Sequence, residues 1–155
     1  MSRRYLAAWF PYLPADRLIR AREEPSELPL VITEKVKGAQ RLMAICPDAK
    51  RAGLAVGMTL ADSRARIPDL WVEEMDARAD AVLLDRMAED CDRFSPAVMI
   101  DLPDGLLLDI TGCEHLFSGE AELRRIFSQR VRRAGLHGRT VIASAADTAR
   151  ALARY

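Results

Sequence analysis

The sequence predicts an α+β fold, a ferredoxin-like order of strands and helices interrupted by a small, mainly helical insertion. Three observations predict it. Val98 to Gly112 holds two apolar runs that turn about Pro103-Asp104-Gly105, which is hairpin chemistry, since Pro fixes φ and Gly accepts φ > 0. Helical stretches flank that hairpin, from Asp76 onward and from Ala121 to Ala134. Finally, the composition changes after Thr33: a polar, glycine-containing stretch leads into short segments punctuated by Pro47, Gly53, Gly57 and Pro68, the spacing of a small subdomain.

Taken in order, Arg4 to Tyr12 is an apolar run ended by prolines and reads as a buried strand. Asp16 to Glu24 reads as a helix that Pro25 terminates. Leu28 to Thr33 is a β-branched strand, Glu34 to Arg41 a polar connection, and Leu42 to Cys46 a short strand. Pro47 opens a short helix that Gly53 closes, and Thr59 caps a second that Pro68 stops. Leu70 to Met75 is a strand. The long helix from Asp76 repeats Leu84, Met87, Ala88 and Cys91 at helical spacing, with its charges on a solvated face. Leu123, Ile126, Phe127 and Val131 form the stripe of the helix after the hairpin. Arg139 to Ser144 is a strand and Ala145 to Tyr155 a helix. The domain boundaries expected from this order are 1–34, 35–75 for the insertion, and 76–155.

A chain of 155 residues that is 50% hydrophobic has enough apolar surface for a real core. Its 23 basic and 23 acidic residues cancel, so any nucleic-acid contact must come from a local patch. Cys46, Cys91 and Cys113 are far apart and odd in number, which argues against a disulfide framework or a zinc site and fits small buried thiols in a reducing compartment. The opening residues carry two arginines and an apolar run broken by Pro11 and Pro14. They read as neither a signal peptide nor a membrane span, and the expected location is the cytoplasm.

Candidate site residues centre on the hairpin, whose carboxylates are Asp101, Asp104 and Asp109. Paired carboxylates raise the question of a metal site for phosphoryl transfer. Against it, Asp104 is favoured in Pro-Asp-Gly by turn chemistry alone, and Asp101 and Asp104, an odd number of residues apart, tend to opposite sheet faces unless the turn bends one back. Asp109 is expected to make a structural hydrogen bond beside Thr111. His115 and His137 have no ligand at metal spacing in the sequence, and Trp9 and Phe10 read as packing aromatics. The basic patch Arg124, Arg125, Arg130, Arg132 and Arg133 suits a helix C-terminal half by dipole and is the candidate DNA contact.

Three segments resemble the Y-family (translesion) DNA polymerases. Ala49 to Ala65, with Gly53 and Gly57-Met58, resembles their fingers segment. Phe94-Ser95-Pro96 and Leu108-Asp109-Ile110-Thr111-Gly112 resemble the Phe-Ser-Pro and Leu-Asp-Val-Thr-Gly around their catalytic hairpin. Gly135 to Tyr155 resembles the palm strand and helix that carry their Asn-Lys-x-x-Ala-Lys. The resemblance implies a polymerase palm with a fingers insertion, and it covers nearly the whole chain.

It also implies where residues have changed. The first strand of such polymerases ends in Asp-x-Asp, but Trp9, Phe10 and Pro11 stand there, and no acidic residue precedes Tyr12. Registered on Leu108 to Thr111, Asp104 falls at the catalytic Asp and Gly105 at its neighbouring Glu. Pro14 falls at the steric gate, Pro47 and Lys50 at the triphosphate contacts, and Thr148 and Leu152 at the two lysines of the tail motif. These changes imply no catalytic residue, no nucleotide site, no metal and no cofactor. They resemble those of a non-catalytic branch that acts as a scaffold in SOS-induced mutagenic translesion synthesis. The expected partners are then an error-prone C-family DNA polymerase, a RecA-like accessory protein and the sliding clamp, with DNA bound weakly or through thumb and little-finger domains beyond this chain. The alternative is an active polymerase fragment that uses the remaining hairpin carboxylates for magnesium-dependent nucleotidyl transfer.

Overall fold

Strand β1 (Tyr5–Trp9) is central to a four-stranded antiparallel sheet because its neighbours on both sides are as apolar as it is. It pairs with β6 (Gly105–Asp109) on one side and with β7 (Arg139–Ala143) on the other; β5 (Val98–Asp101) closes the hairpin with β6, giving the order β5-β6-β1-β7. Counted within this sheet the order is that of a ferredoxin-like fold. The structure, a computed structural model, describes residues 2–155.

Alternation along β1 divides the sheet's two faces. Ala7, facing α6 (Ala146–Arg154), packs with Leu107, Ala149 and Ala153. The alanines of α6 recur at 146, 149 and 153 and let the helix lie close on the strands. Leu6, Ala8, Leu106 and Leu108 lie on the opposite face and are buried. Phe94, at 5.5 Å from Phe117 and 5.3 Å from Phe127 between ring centroids, is also buried. The amphipathic helices are α4 (Ala77–Asp90) and α5 (Glu120–Arg133).

The chain between β1 and α4 forms a second sheet of order β3-β2-β4, with β2 (Leu30–Val36) antiparallel to β3 (Ala39–Ile45) and parallel to β4 (Trp71–Glu74). Its helices are α1 (Leu13–Ala21), α2 (Pro47–Arg51) and α3 (Leu60–Arg66). Ala15, Leu30, Val31, Ile32, Leu42, Ile45, Ala49 and Leu54 make its core. The chain accordingly divides into two compact units, one running up to Pro11 and resuming at Arg78–Tyr155, the other Tyr12–Ala77.

Several elements differ from expectation. The second unit starts at Tyr12, ahead of the expected boundary at 34/35, and carries a three-stranded sheet as well as helices, because Leu30–Val36 pairs with β3 and β4 and not with β1. Helix α1 begins at Leu13 with Pro14 in its first turn, where a proline's fixed φ helps and its missing N–H costs nothing. The polar connection 34–41 is a hairpin: Lys37 (φ 50°) and Gly38 (φ 85°) make the turn, and the polar residues are its exposed tip. Short 3-10 turns at Cys91–Arg93 and Glu114–Phe117 had no sequence signal. Cys46 and Cys91 are buried free thiols, whereas Cys113 is half-buried. No described helix is long and apolar enough to cross a membrane.

Candidate functional site

The hairpin turn meets the end of β1. Trp9 lies opposite Gly105 on one side and Arg139 on the other, and the Phe10 amide donates to the Asp104 carbonyl at 2.9 Å. Gly105 is the first residue of β6 and does not have a positive φ. Its glycine is required for space: an added Cβ would sit 3.1 Å from the Ala8 carbonyl oxygen, 3.2 Å from that of Asp101 and 3.4 Å from Arg154 Nη2.

The two carboxylates at this turn are held by arginines. Asp101 accepts from Arg150 Nη2 at 2.6 Å and Nε at 3.1 Å, and from Arg154 Nη2 at 3.1 Å. Asp104 accepts from Arg154 Nη1 at 3.0 Å and, on its other oxygen, from the Trp9 indole N–H at 3.0 Å. The side chains of Asp101 and Asp104 are only 14% and 27% exposed. Burial works to raise the Asp101 carboxyl, but the hydrogen bonds and charges of Arg150 and Arg154 outweigh it and hold the group below its ordinary value. The guanidinium carbons of Arg139 and Arg154 each lie 5.9 Å from the Trp9 ring centre, within cation–π range.

Of the two arrangements left open for Asp101 and Asp104, the structure has the one in which the turn bends Asp104 back, and Arg154 bridges both. Arg150 and Arg154, which sequence reasoning missed, lie four apart on one face of α6 and point at the hairpin. The i,i+4 pair of arginines was the available signal, but only the packing of α6 on β1 gives it a target. Thr148 and Leu152, the positions matched to the tail lysines, are exposed on the same helix.

At the far end of β6, Asp109 accepts from the Thr111 amide at 3.1 Å and from Arg3 at 2.9 Å. Its carboxyl is held below the usual range by Thr111 first and, with burial opposing, by Arg3. The Ser95 hydroxyl donates to the Asp109 carbonyl at 2.5 Å and accepts from the Ala97 amide at 3.0 Å. Arg4 forms a two-bonded ion pair with Glu120, at 2.6 and 2.9 Å.

The remaining sequence candidates are scattered. Pro11 is half-buried beyond β1, and Phe10 beside it is fully buried. Pro14 and Pro47 occupy first turns of α1 and α2, and Lys50 is exposed on α2. Of the α5 arginines, Arg124 donates to Thr140 at 3.0 Å, Arg125 pairs with Glu122 at 2.6 Å, and Arg130 lines a pocket with Asp90 and Cys91; Arg124, Arg125, Arg132 and Arg133 are exposed. Among the described residues no three His, Cys, Asp or Glu side chains come together as a metal site.

Residues 12–154 match the impB/mucB/samB family. The chain is 46% identical over 103 residues to Protein ImuB of Caulobacter vibrioides in two strains, a match covering 66% of this chain and 22% of those relatives. It thus spans about a fifth of the length of the curated relatives it matches. Among solved structures, the insertion ternary complex of Dbh DNA polymerase superposes with a TM-score of 0.78 at 16% identity, over 90% of this chain and 42% of that one. DinB from Sulfolobus solfataricus gives 0.76 at 16% identity, over the same shares. A Dbh–Dpo4 chimera described as a Y-family DNA polymerase gives 0.77, also at 16% identity and over the same shares. At that identity the likeness establishes the α+β palm fold alone.

Proposed function

The chain belongs to the impB/mucB/samB family, and we propose that within it the chain is a non-catalytic, Y-family-polymerase-like module of mutagenic translesion DNA synthesis. One observation carries this reading: the carboxylates at the hairpin turn are already neutralised from inside the fold by Arg150 and Arg154. Two-metal phosphoryl transfer needs carboxylates from two places, with lone pairs free for cations beside a triphosphate. Here β1 supplies none, since its last residues are Ala8 and Trp9, and the indole of Trp9 takes up an Asp104 oxygen itself. A guanidinium carries the positive charge to the hairpin but offers no exchangeable site for a phosphate oxygen and a nucleophile together. Gly105, matched to a catalytic Glu, is pressed against backbone and Arg154.

The palm then serves as a platform. On this reading its partners are those of the ImuB-like branch: an error-prone C-family DNA polymerase, a RecA-like accessory protein of the ImuA type, and the sliding clamp. The work is SOS-linked, in the cytoplasm at the nucleoid. Isothermal calorimetry tests the central claim. Titrating a deoxynucleoside triphosphate with and without magnesium is expected to give no saturable, metal-dependent heat, and primer-extension assays no product. Saturable metal-dependent binding that Asp104→Ala abolishes would overturn the proposal in favour of an active nucleotidyl transferase.

A further inference from the structure

Three of the outer sheet edges are guarded and the fourth is open. The outer edge of β3 carries residues 53–59, where Leu42 exchanges backbone bonds of 2.8 Å with Gly57 and Met58. β4 holds Glu73 and Glu74, and β7 exposes only Arg139. Charge or cover of this kind keeps foreign strands off a sheet. β5, at the end of the order β5-β6-β1-β7, has neither. From Phe94 to Pro103 the chain carries a single charge, Asp101, although 30% of all residues are charged, and Arg150 and Arg154 neutralise that one from inside the fold. Met99 and Ile100 are 52% and 38% exposed, and Pro96, Ala97, Leu102 and Pro103 are exposed around them.

The ladder fixes which backbone groups are left over. The Asp109 amide donates to the Ala97 carbonyl at 3.0 Å, and Met99 and Asp101 stand opposite Leu107 and Gly105 in the same phase. Antiparallel strands exchange bonds at every second pair, so the N–H and C=O groups of Val98 and Ile100 point outward, away from β6. Among the described residues no strand pairs with them. Side chains alternate across the sheet: Met99 lies with Leu107 on the α6 face and Ile100 with Leu106 on the other. An added strand therefore meets an apolar side chain on both faces.

These limits select the occupant. Pro96 and Pro103 bracket the strand, which is four residues long. A second copy paired edge to edge would join four residues to four, against about 20–30 residues a side in a stable interface. A short extended segment needs no more, because in strand addition main-chain bonds give affinity and alternate side chains give specificity. A charge in that segment would lose its water against Met99 or Ile100, which is costly without a partner, and Arg150 beside them is already held by Asp101 and Asp147. We propose that the outer edge of β5 is a docking site for an extended, uncharged apolar segment of a partner protein, which adds to the sheet as a fifth strand bonded to Val98 and Ile100. The site is independent of whether the hairpin is catalytic.

Selection of a displayed library of short peptides on the immobilised full chain tests it, with a synthetic peptide of the selected consensus titrated by fluorescence anisotropy. The enriched peptides are expected to share an uncharged run of about four apolar or β-branched residues. Met99→Lys/Ile100→Lys should weaken binding at least about tenfold, while Leu116→Lys, a change at another exposed leucine, leaves it unchanged. Ile100→Pro, which deletes an outward N–H and keeps the bonds between β5 and β6, should weaken it as much. Circular dichroism checks each fold; where the proline variant unfolds, a peptide N-methylated at alternate amides tests the same bonds from the other side. Binding should also slow hydrogen exchange at the Val98 and Ile100 amides. No enriched peptide, enrichment of charged or helical peptides, or binding that survives the lysine variant would each overturn the proposal. So would a concentration-dependent dimer in sedimentation that the lysine variant abolishes, since a second copy would then occupy the edge.

Discussion

The two ends of strand β6 each carry an aspartate in a hydrogen-bonded cluster, and they are held in different ways. At the Asp109 end the partners are Thr111 two residues on, Ser95 just before the hairpin, and Arg3 ahead of β1, whose side chain is 69% exposed. At the Asp104 end they come from three elements, with Trp9 from β1 and Arg150 and Arg154 from the last helix. The first arrangement is a local cap that any hairpin of this kind can make. The second fastens α6 to the turn with charge.

The largest expected effect therefore falls at the turn itself. Gly105→Glu, which puts back the carboxylate the family register assigns there, has to displace the Ala8 and Asp101 carbonyls and Arg154. It should destabilise the chain by about 1–3 kcal/mol, as overpacking does, without creating nucleotide binding. Urea denaturation measures this, and Gly105→Ala, which meets the same atoms with its Cβ alone, should show part of the same loss. Stability equal to the parent in both variants would mean that the turn has room for the missing ligand after all.

Next comes the lock. Arg154→Ala removes one bond from each aspartate and leaves Asp104 with only the indole; the expected cost is about 1–2 kcal/mol for these partly buried, charge-assisted bonds. The sign of its pH dependence follows from Asp101, whose folded-state value is lowered. Its contribution is fully present above the unfolded value of about 3.9 and is lost as pH falls through the folded value. Parent and variant should thus differ most near neutrality and converge in acid, below about pH 4. A gap that does not close in acid would assign the loss to packing of the arginine stem against Trp9 and not to charge.

The same comparison explains what the sequence could and could not reveal. The hairpin, the turn at Pro103-Asp104-Gly105, the helix start at Pro47, the cap at Thr59 and the Asp109–Thr111 bond depend on residues within a few positions of one another, so pattern and propensity reach them. The Asp104–Arg154 contact spans 50 residues and exists only because α6 packs its alanines on Ala7 and Leu107. Period-2 alternation alone tends to put Asp101 and Asp104 on opposite faces and leaves open whether the turn bends one back, because it cannot follow a chain around a turn. The strands of the second sheet are legible at Leu28 to Thr33, Leu42 to Cys46 and Leu70 to Met75, but their pairing into a separate sheet is not, because the β2–β4 pairing is long-range and the polar residues 34–41 hide the extension of β2 and β3 into one hairpin.

The smallest effect should lie at the other end of β6. Arg3 donates one bond of 2.9 Å to Asp109, but its side chain is largely in water, and exposed ion pairs of this kind add little because solvent screens them and ordering a long side chain opposes them. Asp109 keeps the Thr111 amide when Arg3 is gone. Arg3→Ala should therefore leave the urea midpoint unchanged within error at moderate salt, while Arg154→Ala in the same buffer shifts it clearly. If Arg3→Ala were as costly as Arg154→Ala, the two ends of β6 would be equivalent charge clamps. The special position given to the Arg150–Arg154 lock, and with it the support it lends to a non-catalytic palm, would then have to be withdrawn.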